Sequence, residues 1–296
     1  MSKIVVDVSV PVLVIFAMVV VGTGLTASDF RRVVRRPRAV LVAVVGQTLL
    51  LPCLGWLLVV VLELQPVIAT GLMLVAICPS GATANLYTQV ARGDTALAVT
   101  LTAVSCVIAG ITMPVALAAL PNEELATIGS EIPQWVLVGQ LLALLALPVL
   151  FGMGIRRRWP MFAERHGQTL LCLSVAALLL LMGLVIVAEL RRFADNLSET
   201  ASASGLLAVL AFATGWATGW SGRGEPDARF AVGMVFAVRN VGVATAVAVT
   251  VLGRAEFAVF ATAYFLTQVP ILIIASLLFR SAKCRDGANF PGVTLP

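Results

Sequence analysis

An arginine and an asparagine, Arg239 and Asn240, stand side by side inside the apolar run MVFAVRNVGVATAVAVTV at 234–251. A guanidinium is a permanent cation with five N–H donors and no acceptor, so what it can bind is an anion or a set of carbonyl oxygens. A second polar interruption, ICPSGATANLYT at 77–88, places Pro79, Gly81, Thr83 and Asn85 in equally apolar surroundings. Pro and Gly break a helix at such a point and free backbone amides and carbonyls, which must then find a ligand, water or another part of the protein. Asn85 and Asn240 fit either of two roles there, capping a half-helix or contacting a ligand. Arg239 likewise fits an anion site or a pin that ties together freed carbonyls.

The elements around these residues are membrane helices. The chain has 296 residues, 60% hydrophobic and 12% charged, and its mean hydropathy of +1.02 excludes an ordinary soluble domain. Apolar runs of about 20 residues recur, long enough to cross the bilayer as helices. They are apolar all round, unlike the alternating strands of a membrane barrel. Nine spans are expected, at 4–26, 38–62, 66–91, 94–119, 134–155, 168–190, 203–221, 228–252 and 256–280. The first run is too long for a signal peptide and is kept as a helix.

Alternating these spans gathers fifteen of the twenty basic residues on one side, including Arg31, Arg32, Arg156, Arg157, Arg158, Arg280 and Lys283. The positive-inside rule makes that side cytoplasmic and leaves the N-terminus outside, with the acids Glu123, Glu124 and Glu131. The C-terminus is then cytoplasmic, and a plasma or inner membrane is the expected location. His166 falls in a basic cytoplasmic loop. The basic balance reports topology and contact with anionic lipid, and nothing suggests nucleic acid or an obligate protein partner. Four cysteines lie in spans and Cys284 in the tail, so neither a disulfide framework nor a metal-ligand spacing is visible. No nucleophile–base pair or phosphate loop points to an enzyme.

Arg239 is the one basic residue assigned to mid-span. It lies about eleven to thirteen residues from either end of its helix, roughly 16 Å, too deep for its head to reach the interface. A charge at that depth costs at least about 2.5 kcal/mol and marks a functional site by default. The two interruptions fall in spans three and eight. If spans one to four correspond to spans six to nine, the breaks occupy equivalent places in inverted repeats, the arrangement that holds the substrate in many secondary transporters.

The segments GTGLTASDF, ICPSGATANLYTQVARGDTALAVTLTAVS and VRNVGVATAVA resemble, in order and spacing, the bile acid:sodium symporter family. The resemblance covers nearly the whole chain, and its most specific part is the Cys-Pro-x-Gly-x-x-x-Asn stretch followed by Arg-Gly-Asp. It implies the nine-helix form of an all-α inverted-repeat fold in a single transmembrane transporter domain. A core domain (spans within 38–119 and 203–280) would contain the two broken helices, crossing at their breaks. A panel domain (spans within 4–26 and 134–190) would move against it. Substrates in the family are organic anions such as bile acids and other carboxylates or sulfonated compounds, and two sodium ions bind behind the crossing.

Residue by residue, Gln47, Asn85 and Thr102 match the family's polar sodium ligands, while Ala84 and Ala98 stand where serines are usual. The family's Glu-x-Gly-Met-Gln-Asn becomes Val235-Phe236-Ala237-Val238-Arg239-Asn240. The acid is replaced by Val235 and the Gln by Arg239. One carboxylate with two sodium ions carries a net charge of about +1, and Arg239 without the acid carries the same. The expectation is therefore an alternating-access transporter of small organic anions that needs no cofactor and no sodium, with substrate contacts at Thr83, Asn85, Arg239, Asn240 and Gly242. Arg239 does not deprotonate at physiological pH, and the other charged residues fall at loops or termini, which leaves facilitated diffusion or exchange. The alternatives are an ordinary sodium symporter with substitute oxygen ligands and an anion-binding membrane receptor that transports nothing.

Overall fold

A computed structural model describes residues 3–26, 37–119, 134–221 and 225–288. The basic stretch 31–36 and the acids Glu123, Glu124 and Glu131, on which the expected orientation partly rests, lie outside the described residues. Those described form helices and no strands. In chain order they are α1 (Lys3–Gly24), α2 (Pro37–Val61), α3 (Pro66–Ile77), α4 (Thr83–Val90) and α5 (Thr95–Ala119). Helix α6 runs over 134–158 with a π turn at Leu142–Ala146, and is followed by α7 (Pro160–Ala188), the short α8 (Leu190–Asp195) and α9 (Leu197–Ser221). The last are α10 (Pro226–Ala237), α11 (Val241–Ala246, extended by a π turn at Val247–Val251) and α12 (Ala258–Ala288).

Among the described residues, six helices are long and apolar enough to cross a membrane: Pro37–Val61, Thr95–Leu117, Gly139–Arg158, Pro160–Ala188, Leu197–Trp220 and Ala255–Arg285. Shorter apolar helices occupy Ser9–Gly24, Pro66–Ile77 and Val241–Val251. Large apolar side chains such as Leu41, Ile111, Phe151 and Leu278 are exposed, as an outer surface against lipid requires. His166 lies within α7, exposed and with its ring tilted against that of Phe162, rather than in a loop. Helix α7 starts before the expected span, and α12 carries Lys283 and Arg285 beyond the end of the last one. Charged residues end a hydrophobic span but do not end a helix, whose backbone bonds persist in water.

Helix α1 packs on α6 and α7, while α9 packs on α2, α10 and α12. The α1–α6 contact is backbone to backbone. A Cβ on Gly152 would lie 2.1 Å from the Val19 carbonyl oxygen, and one on Gly22 would lie 2.2 Å from that of Val149. Only glycine allows this approach, which is how membrane helices gain packing without a hydrophobic drive between them. Arg156 adds a bond from Nη1 to the carbonyl of Thr23.

The two interrupted segments meet. Helix α3 ends at Ile77 and α4 begins at Thr83; α10 ends at Ala237 and α11 begins at Val241. The connecting residues pair as an isolated antiparallel bridge, Ser80 with Arg239. Pro11, Pro52, Pro114 and Pro270 by contrast lie inside continuous helices. Pro79 sits at a true break because the freed groups on either side of it find partners across the crossing.

Candidate functional site

At the crossing the Asn240 amide donates to the Pro79 carbonyl and the Gly81 amide to the Val238 carbonyl, each at 2.9 Å. Side chains meet further freed backbone groups. Ser105 Oγ accepts from the Ser80 amide at 2.9 Å, Ser80 Oγ donates to the Val238 carbonyl at 3.3 Å, and Tyr264 Oη donates to the last carbonyl of α10, that of Ala237. Asn240 caps α11, its Oδ1 accepting from the Val243 amide at 3.2 Å. The crossing is thus a backbone knot, hydrogen-bonded in both directions inside the apolar interior, which fixes the residues attached to it.

Arg239 projects from this knot and is only 4% exposed. Its Nη2 donates to the Ala76 carbonyl at 3.4 Å, and its Nε and Nη1 have no partner. Among the described residues no carboxylate reaches ion-pair distance of it. The charge is therefore buried, nearly uncompensated and rigidly placed. Burial of that kind is expensive and persists where a ligand uses the charge.

Arg239 borders two cavities. The larger, about 70 Å³, is also lined by Gly81, Thr83, Asn240 and Gly242 from the crossing, by Val14, Met18 and Val21 of α1, by Ser174 and Leu178 of α7, and by Phe265 and Gln268 of α12. The smaller, about 20 Å³, lies among α2, the end of α3 and α5, and includes Gln47, Thr48, Cys78, Ser105 and Thr112. Four of the expected substrate contacts, Thr83, Arg239, Asn240 and Gly242, thus share one cavity. Asn85 does not line it. Its Oδ1 accepts from Thr102 Oγ1 at 3.4 Å.

The positions equivalent to cation ligands divide into three groups. Asn85 and Thr102 pair with each other, and Gln47 and Arg239 both line the small cavity. Ala84, Ala98 and Val235 are completely buried in one apolar cluster with Val44, Leu101 and Val238. Where a hard cation needs several oxygens, these three side chains offer none. Ser174 and Gln268 of the larger cavity and Ser105 and Tyr264 of the knot were not marked by the sequence reading. Gln268 is buried with its Oε1 unpartnered, a free acceptor at the cavity wall.

Comparison with known proteins places these features in context. The model of the Sodium Bile acid symporter family matches residues 11–196. The probable sodium/metabolite cotransporter BASS2, chloroplastic, of Oryza sativa subsp. japonica is 32% identical over 225 residues, 72% of this chain and 50% of that protein. The uncharacterized sodium-dependent transporter YocS of Bacillus subtilis (strain 168) is 34% identical over 114 residues, 38% of this chain and 36% of its own. The human sodium-dependent organic anion transporter is 30% identical over 158 residues, 51% of this chain and 42% of its own. Each match spans half or less of the relative's length.

Proposed function

Because this chain belongs to the Sodium Bile acid symporter family, a family of membrane transporters and not of enzymes, we propose that it moves small organic anions by alternating access, with Arg239 doing the work of bound cations. The observation that carries this reading is the buried guanidinium with two unpartnered donors beside the crossing. The substrate carboxylate sits in the larger cavity, facing Arg239, Asn240, Gly242 and Thr83 at the starts of the two second half-helices, where amide dipoles favour negative charge. Gln268 and Ser174 supply a second polar contact to a substrate hydroxyl or amide. The apolar wall of α1, α7 and Phe265 takes the rest. At about 70 Å³ this cavity is far below the roughly 300–1,000 Å³ of pockets for drug-sized ligands, which favours a compact acid over a steroid.

The packing groups support alternating access. Helices α1, α6 and α7 act as the panel; α2 to α5 and α9 to α12 act as the core, including the crossing. The cavity lies between the two, so movement of the panel exposes it to one side and then the other, with nine spans in inverted repeats. The filled apolar space at Val235, Ala84 and Ala98 and the cation already present support sodium independence.

A second reading, sodium-coupled symport, is favoured by the printed names of the relatives and by the Asn85–Thr102 pair, which retains two oxygens. A thermal-shift screen of organic acids with the purified protein, each run in sodium and in choline, tests the choice. Stabilisation by an acid of equal size in both salts supports the first reading. Stabilisation confined to sodium overturns it in favour of the second.

A further inference from the structure

The small cavity behind the crossing has a donor-rich wall with no acid in it. Arg239 lines it, and the guanidinium keeps two buried donors, Nε and Nη1, without a partner. Gln47, 4% exposed, contributes an amide whose Oε1 has no partner; turned end for end, the same amide presents its N–H2 group. Ser105 accepts from the Ser80 amide, leaving its own hydroxyl proton free to donate. The other two hydroxyls, Thr48 and Thr112, spend their protons on the carbonyls of Val44 and Ile108. The cavity holds about 20 Å³, room for one small sphere and too little for an organic acid. Its wall carries a fixed positive charge, which repels a cation, and a water molecule would leave that charge uncompensated.

We infer that Arg239, Gln47 and Ser105 bind a halide-sized monovalent anion in this cavity, separate from the substrate cavity on the other side of the same guanidinium. The ion neutralises Arg239 while the carrier is empty. Because one guanidinium borders both cavities, occupancy behind the crossing reduces the charge available to a carboxylate in front of it, so halide and substrate oppose each other. The bound anion is therefore an inhibitory co-ligand of the empty carrier.

The test uses the purified full chain with choline as the cation and no organic acid, titrating chloride or bromide against gluconate at constant ionic strength. The expected result is a saturable rise in Tm of about 3 °C at ten times the halide Kd, lost in Arg239→Gln and shifted to about tenfold higher halide in Gln47→Leu. If Arg239→Gln does not fold, bromide anomalous scattering from wild-type crystals decides: a peak against Arg239 and Gln47 supports the site, and its absence there overturns it. Equal Tm in halide and gluconate, or a halide effect undiminished in Arg239→Gln, also overturns it. Since no substrate and no sodium are present, failure here leaves the transport reading standing.

Discussion

Replacing Arg239 by Gln separates a ligand-binding charge from a structural pin, because the two roles move stability in opposite directions. A charge near the bilayer centre costs at least about 2.5 kcal/mol. Against that, Arg239 recovers a single hydrogen bond, to the Ala76 carbonyl at 3.4 Å, beyond the usual range of about 2.7–3.2 Å and worth about 1.5 kcal/mol at most. Removing the charge should then stabilise the empty protein by at least about 1 kcal/mol, a rise in Tm of roughly 2–4 °C. Binding should move the other way. One charge-assisted hydrogen bond to a carboxylate contributes about 1.5–3 kcal/mol, a loss of about 10- to 150-fold in affinity. The assay is a thermal melt in halide-free buffer, with and without the organic acid that most stabilises the wild type. An Arg239→Gln protein that melts lower than wild type and binds that acid equally well would refute the reasoning, and Arg239 would be a pin for α3.

Three further substitutions probe the surrounding structure. Gly152→Val forces a side chain into the α1–α6 contact, where even a Cβ lies 2.1 Å from the Val19 carbonyl oxygen; the loss should exceed the usual 1–3 kcal/mol, roughly, of overpacking, read as a sharp fall in the folded fraction after extraction. Tyr264→Phe leaves the Ala237 carbonyl unpaired and should cost about 1–3 kcal/mol, measured as a drop in Tm. Val235→Glu alone should abolish substrate binding, since the new carboxylate takes up the charge of Arg239. In the Arg239→Gln background it should instead restore binding only in sodium, and affinity of the single and double variants with and without sodium checks both outcomes.

The two breaks were legible because each places residues unsuited to a membrane helix in an apolar run: Pro79 and Gly81 in one, Arg239 and Asn240 in the other. Proline alone was not the signal, since Pro52, Pro114 and Pro270 sit within unbroken helices. What distinguishes Pro79 is its carbonyl's partner 161 positions later, Asn240, and no local pattern encodes that. The same holds for Ser105 and Tyr264, single polar atoms on apolar helices whose orientation is set by tertiary packing. The grouping of Thr83, Asn240 and Gly242 beside Arg239 followed from the breaks, whereas Asn85, one helical step beyond Ala84, turns to Thr102 instead. Helix ends were the least legible part, because hydropathy marks where lipid stops and not where the helix does. The π turn before Pro148 has a cause in the missing proline amide; the one at Val247–Val251 has no marker in the sequence.

Whether a fixed guanidinium has replaced the coupling cation is decided by uptake against a gradient. Purified protein in liposomes would be given the labelled acid identified by the thermal screen, with an inward sodium gradient in one set and an equal choline gradient in the other. With Arg239 in place of the cation, the two time courses should be identical, rising to equilibrium and staying there. A transient accumulation above equilibrium, present with the sodium gradient and absent with choline, would contradict it.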